Sequence, residues 1–243
     1  GDVIVNVTGY QWWWRFEYPE LGVVTANELH IPAGRRVILN LDSADVLHSF
    51  WVPRLAGKRD LIPNQNNQLW IEAPDPGTYY GQCAELCLGA HAYMKFRVIA
   101  ESDAEFEAWA DTFQTVDSRA VQGDPEVQRG YQLFATKGCT NCHAVQGYRD
   151  GSPVGTPDFP NLTNFGLRTT LAAGIVPNDR ENLEAWLRDP QAVKPGNYMP
   201  ALWQEDDPNA DEEIAAIASY LLSLGAESGP EAQASLGGSH GDR

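Results

Sequence analysis

Cys83-Ala-Glu-Leu-Cys87-Leu-Gly-Ala-His91-Ala-Tyr-Met94 places two thiols, an imidazole and a thioether on one short run of chain. Thiolate and thioether ligands select soft metals over calcium or magnesium, and imidazole suits copper equally. A mononuclear blue-copper centre needs one cysteine, so the second thiol is surplus to it; two copper ions bridged by both thiolates would use the pair. Such a pair calls for a second imidazole, and Asp45-Val-Leu-His48-Ser-Phe-Trp51-Val-Pro53 offers His48. A structural zinc site or a Cys83–Cys87 disulfide would also occupy the thiols. Neither accounts for His91 and Met94 lying so near.

Outward from this run the chain reads as β structure. Short β-rich segments at 3–7, 23–29, 36–41, 68–71 and 95–99 are separated by Pro, Gly and Asn/Asp turns. That spacing predicts a β-sandwich or Greek-key barrel. Trp13 and Trp14 are expected to serve barrel packing, as adjacent strand residues face opposite sides. His30, in a strand-like run without ligand neighbours, reads as a hydrogen-bonded packing residue.

The other two cysteines lie in Cys139-Thr-Asn-Cys142-His143, and the only other methionine, Met199, follows in Pro195-Gly-Asn-Tyr-Met199-Pro200. C-x-x-C-H is the attachment pattern of a covalent c-type haem, with His143 as the proximal axial ligand. A thioether as sixth ligand raises the potential relative to a second imidazole, and the loop around Met199 suits that role. A zinc site would want two more ligands nearby, and a thioredoxin-like pair would not need His143. The flanks read as helices. Asp124-Pro125 supplies an N-cap and a proline at the first position, ahead of Val127, Tyr131 and Phe134. A shorter helix around Leu183, Trp186 and Leu187 ends at Asp189-Pro190. Asn209-Ala-Asp-Glu212 reads as a capping box opening a last helix with Ile214, Ile217, Leu221 and Leu224 on one face.

From Gly130 to Met199 the order resembles class I cytochromes c, including Pro160-Asn161-Leu162. That resemblance implies an all-α cytochrome c fold in which the Pro160 carbonyl accepts a hydrogen bond from His143. Residues 45–63, DVLHSFWVPRLAGKRDLIP, with YYGQCAELCLGAHAYM at 79–94 and Gln11-Trp12-Trp13-Trp14-Arg-Phe-Glu-Tyr18, resemble the CuA domain of haem-copper oxidase subunit II. This implies an all-β cupredoxin-like Greek-key barrel. It also implies binuclear copper ligands at His48, Cys83, Cys87, His91 and Met94 and at the Glu85 carbonyl. The Glu85 side chain falls on a position that helps bind magnesium or manganese against subunit I, and Trp12 on the tryptophan of electron entry. Lys58, Arg59 and Asp60 match a segment near subunit I, though a solvated loop explains them equally.

Together the two resemblances imply the electron-entry subunit of a caa-type terminal oxidase. Single electrons would pass from an external donor through the haem to the copper pair and on to subunit I, which reduces dioxygen to water while protons are pumped. The donor would be a cytochrome c, another small redox protein or a quinol-oxidising complex; subunit I and other membrane subunits are the implied partners. The chain itself would relay electrons only. A stand-alone two-centre electron carrier and the CuA subunit of a nitric oxide reductase remain alternatives. A nitrous oxide reductase is disfavoured, because no histidine-rich second domain is present.

The 243 residues suit two domains, expected at 1–101 and 125–225, joined by 102–124 and followed by a disordered tail at 226–243 that holds an idle His240. Within the joint, Ser102-Asp-Ala-Glu105 forms a capping box ahead of Phe106, Trp109 and Phe113, a helix packed on one domain or a semi-rigid spacer; 114–123 reads as exposed linker. Residues 1–100 carry ten acidic and eight basic side chains, whereas the remaining 143 carry 23 and nine. The acidity therefore belongs to the second half and disfavours nucleic acid as a partner. A tethered donor would explain a near-neutral copper domain, at an effective concentration on the order of mM for a flexible linker. No apolar run approaches the about 20 residues of a membrane span. The resemblance implies an anchor upstream of Gly1, missing from this sequence, and a location on the extracytoplasmic, periplasmic face of a bacterial plasma membrane.

Overall fold

A computed structural model describes residues 2–113, 123–145, 156 and 158–225. The tail expected at 226–243 lies outside the described residues, as does the expected linker apart from Gly123.

The first half is a pair of five-stranded sheets. One has the order β3-β2-β1-β5-β8, built from β1 (Val3–Tyr10), β2 (Trp13–Tyr18), β3 (Val23–Ala26), β5 (Val37–Ser43) and β8 (Asn67–Ile71). The other runs β4-β10-β9-β6-β7, with β4 (Glu28–Pro32), β6 (His48–Trp51), β7 (Arg59–Leu61), β9 (Gly77–Cys83) and β10 (Lys95–Glu101). β1 pairs with β5 and β4 with β10 in parallel; the other named pairings are antiparallel. Side-chain alternation drives the layering. Val5, Val7, Leu39 and Leu41 point inward against Trp14, Phe16, Phe50 and Phe96. Trp14 meets the Phe50 ring edge-on at 5.8 Å. This is the two-sheet β architecture that the spacing predicts, cupredoxin-like as the family resemblance implies.

Two local readings need correction. The segment expected as one strand at 23–29 breaks at Asn27, which adopts φ 63°, so β3 stays in one sheet and β4 crosses to the other. Trp13 is outside the β core that holds Trp14; it stacks on Tyr10 at 4.6 Å on the opposite face of β2. His30 is a packing residue as read, stacked on Trp109 at 4.2 Å with Nδ1 3.0 Å from Glu101. The helix that follows, α1 (Asp103–Asp111), begins with the expected capping box and lays Phe106 and Trp109 against Tyr18. It belongs to the first core.

The second half is helical. α2 (Pro125–Thr136) starts at Asp124, whose carboxylate accepts from the Glu126 and Val127 amides. α3 (Arg180–Arg188) stops at Asp189, which caps the four-residue α4 (Pro190–Val193). α5 (Ala210–Ser223) crosses α2 so closely that a Cβ on Gly130 would lie 1.9 Å from the Ala216 carbonyl oxygen. The capping box expected at Asn209 does not form: Asn209 is itself helical (φ −98°, ψ −7°) and its amide donates to Asp207 Oδ1 at 2.9 Å, while Glu212 meets Arg129 at 3.2 Å. A small hairpin, β11 (Thr170–Leu171) with β12 (Val176–Pro177), is an addition that the sequence reading lacks. Among the described residues no helix is long and apolar enough to cross a membrane.

Candidate functional site

Strand pairing assembles the first cluster. β6 carries His48 inward and lies beside β9, with Phe50 opposite Cys83. The Cys83 amide donates to the Met94 carbonyl at 2.9 Å and pinches the intervening loop at its base. Cys83 Sγ and Cys87 Sγ then sit 3.9 Å apart as free thiols, so the disulfide alternative is not formed. Cys83 Sγ lies 3.9 Å from His48 Nδ1 and 3.2 Å from the Glu85 carbonyl oxygen. Cys87 Sγ lies 3.3 Å from His91 Nδ1 and 3.8 Å from Met94 Sδ. His48, Cys83, Cys87 and Met94 are buried, and a Cβ on Gly9 would meet the His48 ring at 2.8 Å.

The electrostatics prepare the thiols for a cation. The hydrogen bond from the Cys87 thiol lowers Cys83 to about 4 against the effect of burial, and the same contact raises Cys87. A bound cation would take the place of the protons on the thiols, since the thiolate is the ligating form. Asp45 Oδ1 lies 2.7 Å from His48 Nε2, which leaves Nδ1 facing the sulfurs. Burial opposes protonation of His48, but the Asp45 and Cys83 contacts outweigh it and raise its pKa. The donor set fits two soft ions. If both thiolates are shared, each ion gains an imidazole and either the thioether or the carbonyl, so all six donors are used. A single zinc takes four and leaves two idle.

The second cluster lines a cavity of about 460 Å³, a size typical of cofactor pockets (~300–1,000 Å³). Cys139, Cys142, His143 and Met199 share its wall with Phe134, Leu162, Phe165 and Ile217. His143 Nδ1 lies 2.8 Å from the Pro160 carbonyl oxygen; donating there leaves the Nε2 lone pair for a metal. Burial lowers the His143 pKa despite that bond, favouring the neutral, ligating form. Burial also pushes the Cys139 thiol up to about 11. The Met199 amide donates to Asn197 Oδ1 at 2.7 Å, while Gln191 braces the loop through Asn197 and Gly196. Two free thiols, a neutral imidazole and a thioether around an apolar cavity suit a covalent haem.

Trp12 stands between the clusters. Its Nε1 donates to the Cys87 carbonyl at 2.9 Å, and its ring lies 4.8 Å from that of Tyr198, next in sequence to Met199. The Tyr198 hydroxyl donates to Gln11 Oε1 at 3.1 Å, and Lys194 Nζ donates to the Trp12 carbonyl at 2.6 Å. Tyr10, Trp12, Trp13 and Asp45 line the cavity from the β side. Sequence reasoning missed Asp45, Lys194 and Tyr198. Asp45, three residues before His48, carried a spacing signal; Lys194 carried none. The Glu85 carboxylate points elsewhere, 3.6 Å from Lys58, which also reaches Asp60 at 3.8 Å.

Comparison with known proteins divides the chain in the same way. A family model described as "Cytochrome C oxidase subunit II, periplasmic domain" matches residues 20–101, and one described as "Cytochrome c" matches 127–225. "Cytochrome c oxidase subunit 2" of Alkalihalophilus pseudofirmus is 43% identical over 224 residues, covering 91% of this chain and 61% of that protein. The protein of the same description from Bacillus subtilis is 39% identical over 234 residues, covering 93% and 63%. The chain thus spans about three-fifths of the length of these relatives. Among solved structures, the periplasmic domain of subunit II of cytochrome oxidase of Bradyrhizobium japonicum is 31% identical. It covers 45% of this chain and 91% of its own, with a TM-score of 0.44.

Proposed function

The chain belongs to the cytochrome c oxidase subunit II family, with a cytochrome c domain behind its β domain, and from that premise we propose that it relays single electrons into a terminal oxidase. When bound, a covalent haem c and a binuclear CuA copper pair supply reversible one-electron chemistry, the haem facing an external donor and the copper facing subunit I. Its place is the extracytoplasmic face of a bacterial plasma membrane.

His48, Cys83, Cys87, His91, Met94 and the Glu85 carbonyl would hold the copper pair; the two β sheets fix these donors so that little rearranges between oxidation states. Cys139 and Cys142 would anchor the haem, with His143 and Met199 as axial ligands and Pro160 orienting His143. Buried Trp12, with the Tyr198 ring 4.8 Å away, places aromatic side chains between the two donor clusters. For magnesium or manganese, the Glu85 carboxylate lies 3.6 Å from Lys58, an arrangement that does not by itself make a site.

The observation carrying this reading is that six soft or borderline donors converge on two thiols 3.9 Å apart, while a haem-sized cavity lies across Trp12. Metal analysis with electron paramagnetic resonance on the oxidised protein tests it. The expected result is one unpaired electron shared by two coppers beside low-spin haem iron; zinc, or a single blue copper, would sink the reading.

A further inference from the structure

Glu28 opens β4 in the first domain, yet its carboxylate is satisfied by the second. Thr169 N lies 3.0 and 3.1 Å from its two oxygens. Thr169 Oγ1, Thr170 N and Thr170 Oγ1 each donate to Oε1 at 2.8 Å. Glu28 is 1% exposed, a burial that an ionised carboxylate tolerates only with such donors around it. The same strip of the second domain continues the seam. The Lys95 amide donates to the Ala173 carbonyl at 3.2 Å and Arg97 to the Gly174 carbonyl at 2.8 Å. Leu171, Ala172 and Ala173, next along from the clamped threonines, wall the haem-sized cavity.

Lys194 makes a second tie. Lys194 as a whole is 4% exposed, and its Nζ donates to the main-chain carbonyl of Trp12, the residue whose ring packs on Tyr198. If the domains separated, water would have to solvate the Glu28 carboxylate, the four threonine donors and the Lys194 ammonium. A buried charged group left without such donors or acceptors is costly, so these contacts favour this one arrangement of the halves. A flexible tether needs none of them.

The geometry points to Glu28 and Lys194 as positioning residues that keep the second domain docked, so that Tyr198 stays against Trp12 and the electron step between the two centres needs no domain encounter. This rests on the relay reading above. It replaces an encounter set by tether length with a standing contact. Glu28 acts through the strip that walls the cavity, and Lys194, which also lines the cavity, acts through Trp12; neither is one of the metal-binding donors.

The test uses the full chain carrying haem and copper, as wild type, Glu28→Ala, Glu28→Gln and Lys194→Met. One readout is amide hydrogen exchange at Thr169 and Thr170. The other is the rate of electron equilibration between haem and copper after flash reduction, in buffers of increasing viscosity. In the wild type both amides should exchange slowly and the rate should ignore viscosity. Glu28→Ala should speed exchange at the two amides by about tenfold or more, as loss of a charged acceptor predicts. Its electron transfer should slow by a similar factor and become viscosity-dependent, with the copper resonance and haem absorbance unchanged. Glu28→Gln, which keeps one acceptor oxygen, should fall between, and Lys194→Met should slow transfer without releasing the threonine amides. Should Glu28→Ala fail to fold, Glu28→Gln and Lys194→Met decide. Wild-type amides and transfer rates in the variants, or viscosity dependence in the wild type, would overturn the inference. If the wild type showed both spectra but passed no electron between them, the relay reading would fail instead, and the exchange data would still judge the docking.

Discussion

Met94 is fully buried with its Sδ 3.8 Å from Cys87 Sγ, and Leu would fill nearly the same volume without a lone pair. Met94→Leu is therefore expected to fold, to change the copper hyperfine pattern, and to leave haem absorbance as in the wild type; a simultaneous change in both spectra would contradict the separation of the centres. At this scale much of the site is legible from sequence. Cys83, Cys87, His91 and Met94 are close in the chain, so a short loop can gather them, and Cys139, Cys142 and His143 are contiguous. His48 was found because two bridging thiolates demand a second imidazole. Gly9 was not found: its need to be glycine comes from the His48 ring lying on it, a contact between strands.

Helices and strands were legible where local chemistry decides them. Asp124-Pro125 and Ser102 with Glu105 start helices because their side chains satisfy amides two or three residues on. Asn209 failed as a cap because it is itself helical (φ −98°, ψ −7°), and the amide that Glu212 would have bonded donates to Asp207 Oδ1 at 2.9 Å. The junction of α2, α5 and the Trp203 loop is held by Glu213, whose Oε2 accepts from Lys137 at 2.5 Å and from Trp203 Nε1 at 2.7 Å. Lys137 holds the Glu213 carboxyl below its ordinary 4.5. With the folded pKa below the unfolded one, the tie contributes fully above pH 4.5 and is lost as pH falls through the lower, folded value. Glu213→Gln should thus lower the melting temperature of the helical domain at pH 7, and match the wild type at pH well below the folded pKa. Thermal melts followed by haem absorbance across that range would check it.

For the whole molecule, the buried side chains form two clusters, one from Val5 to Phe113, the other from Val127 to Leu224. What joins them is more specific than a tether. Because Glu28 and Lys194 are each under 10% exposed, salt screens their contacts far less than it screens exposed charges, whose interactions fade over about 8–10 Å. The radius of gyration from small-angle scattering should therefore stay constant between low and high salt, despite the formal charge of −16; expansion at either end would argue for a charge-steered encounter.

Sequence by itself determined the two clusters of candidate donors, the β-then-α order and the family, since each rests on motifs within a few tens of residues. Only the tertiary structure decided how the halves meet. Glu28 and its threonine donors are 141 residues apart, Lys194 and Trp12 182, and no periodicity or motif links such positions. Their pairing arises when two finished surfaces bury polar groups that must then find partners in each other.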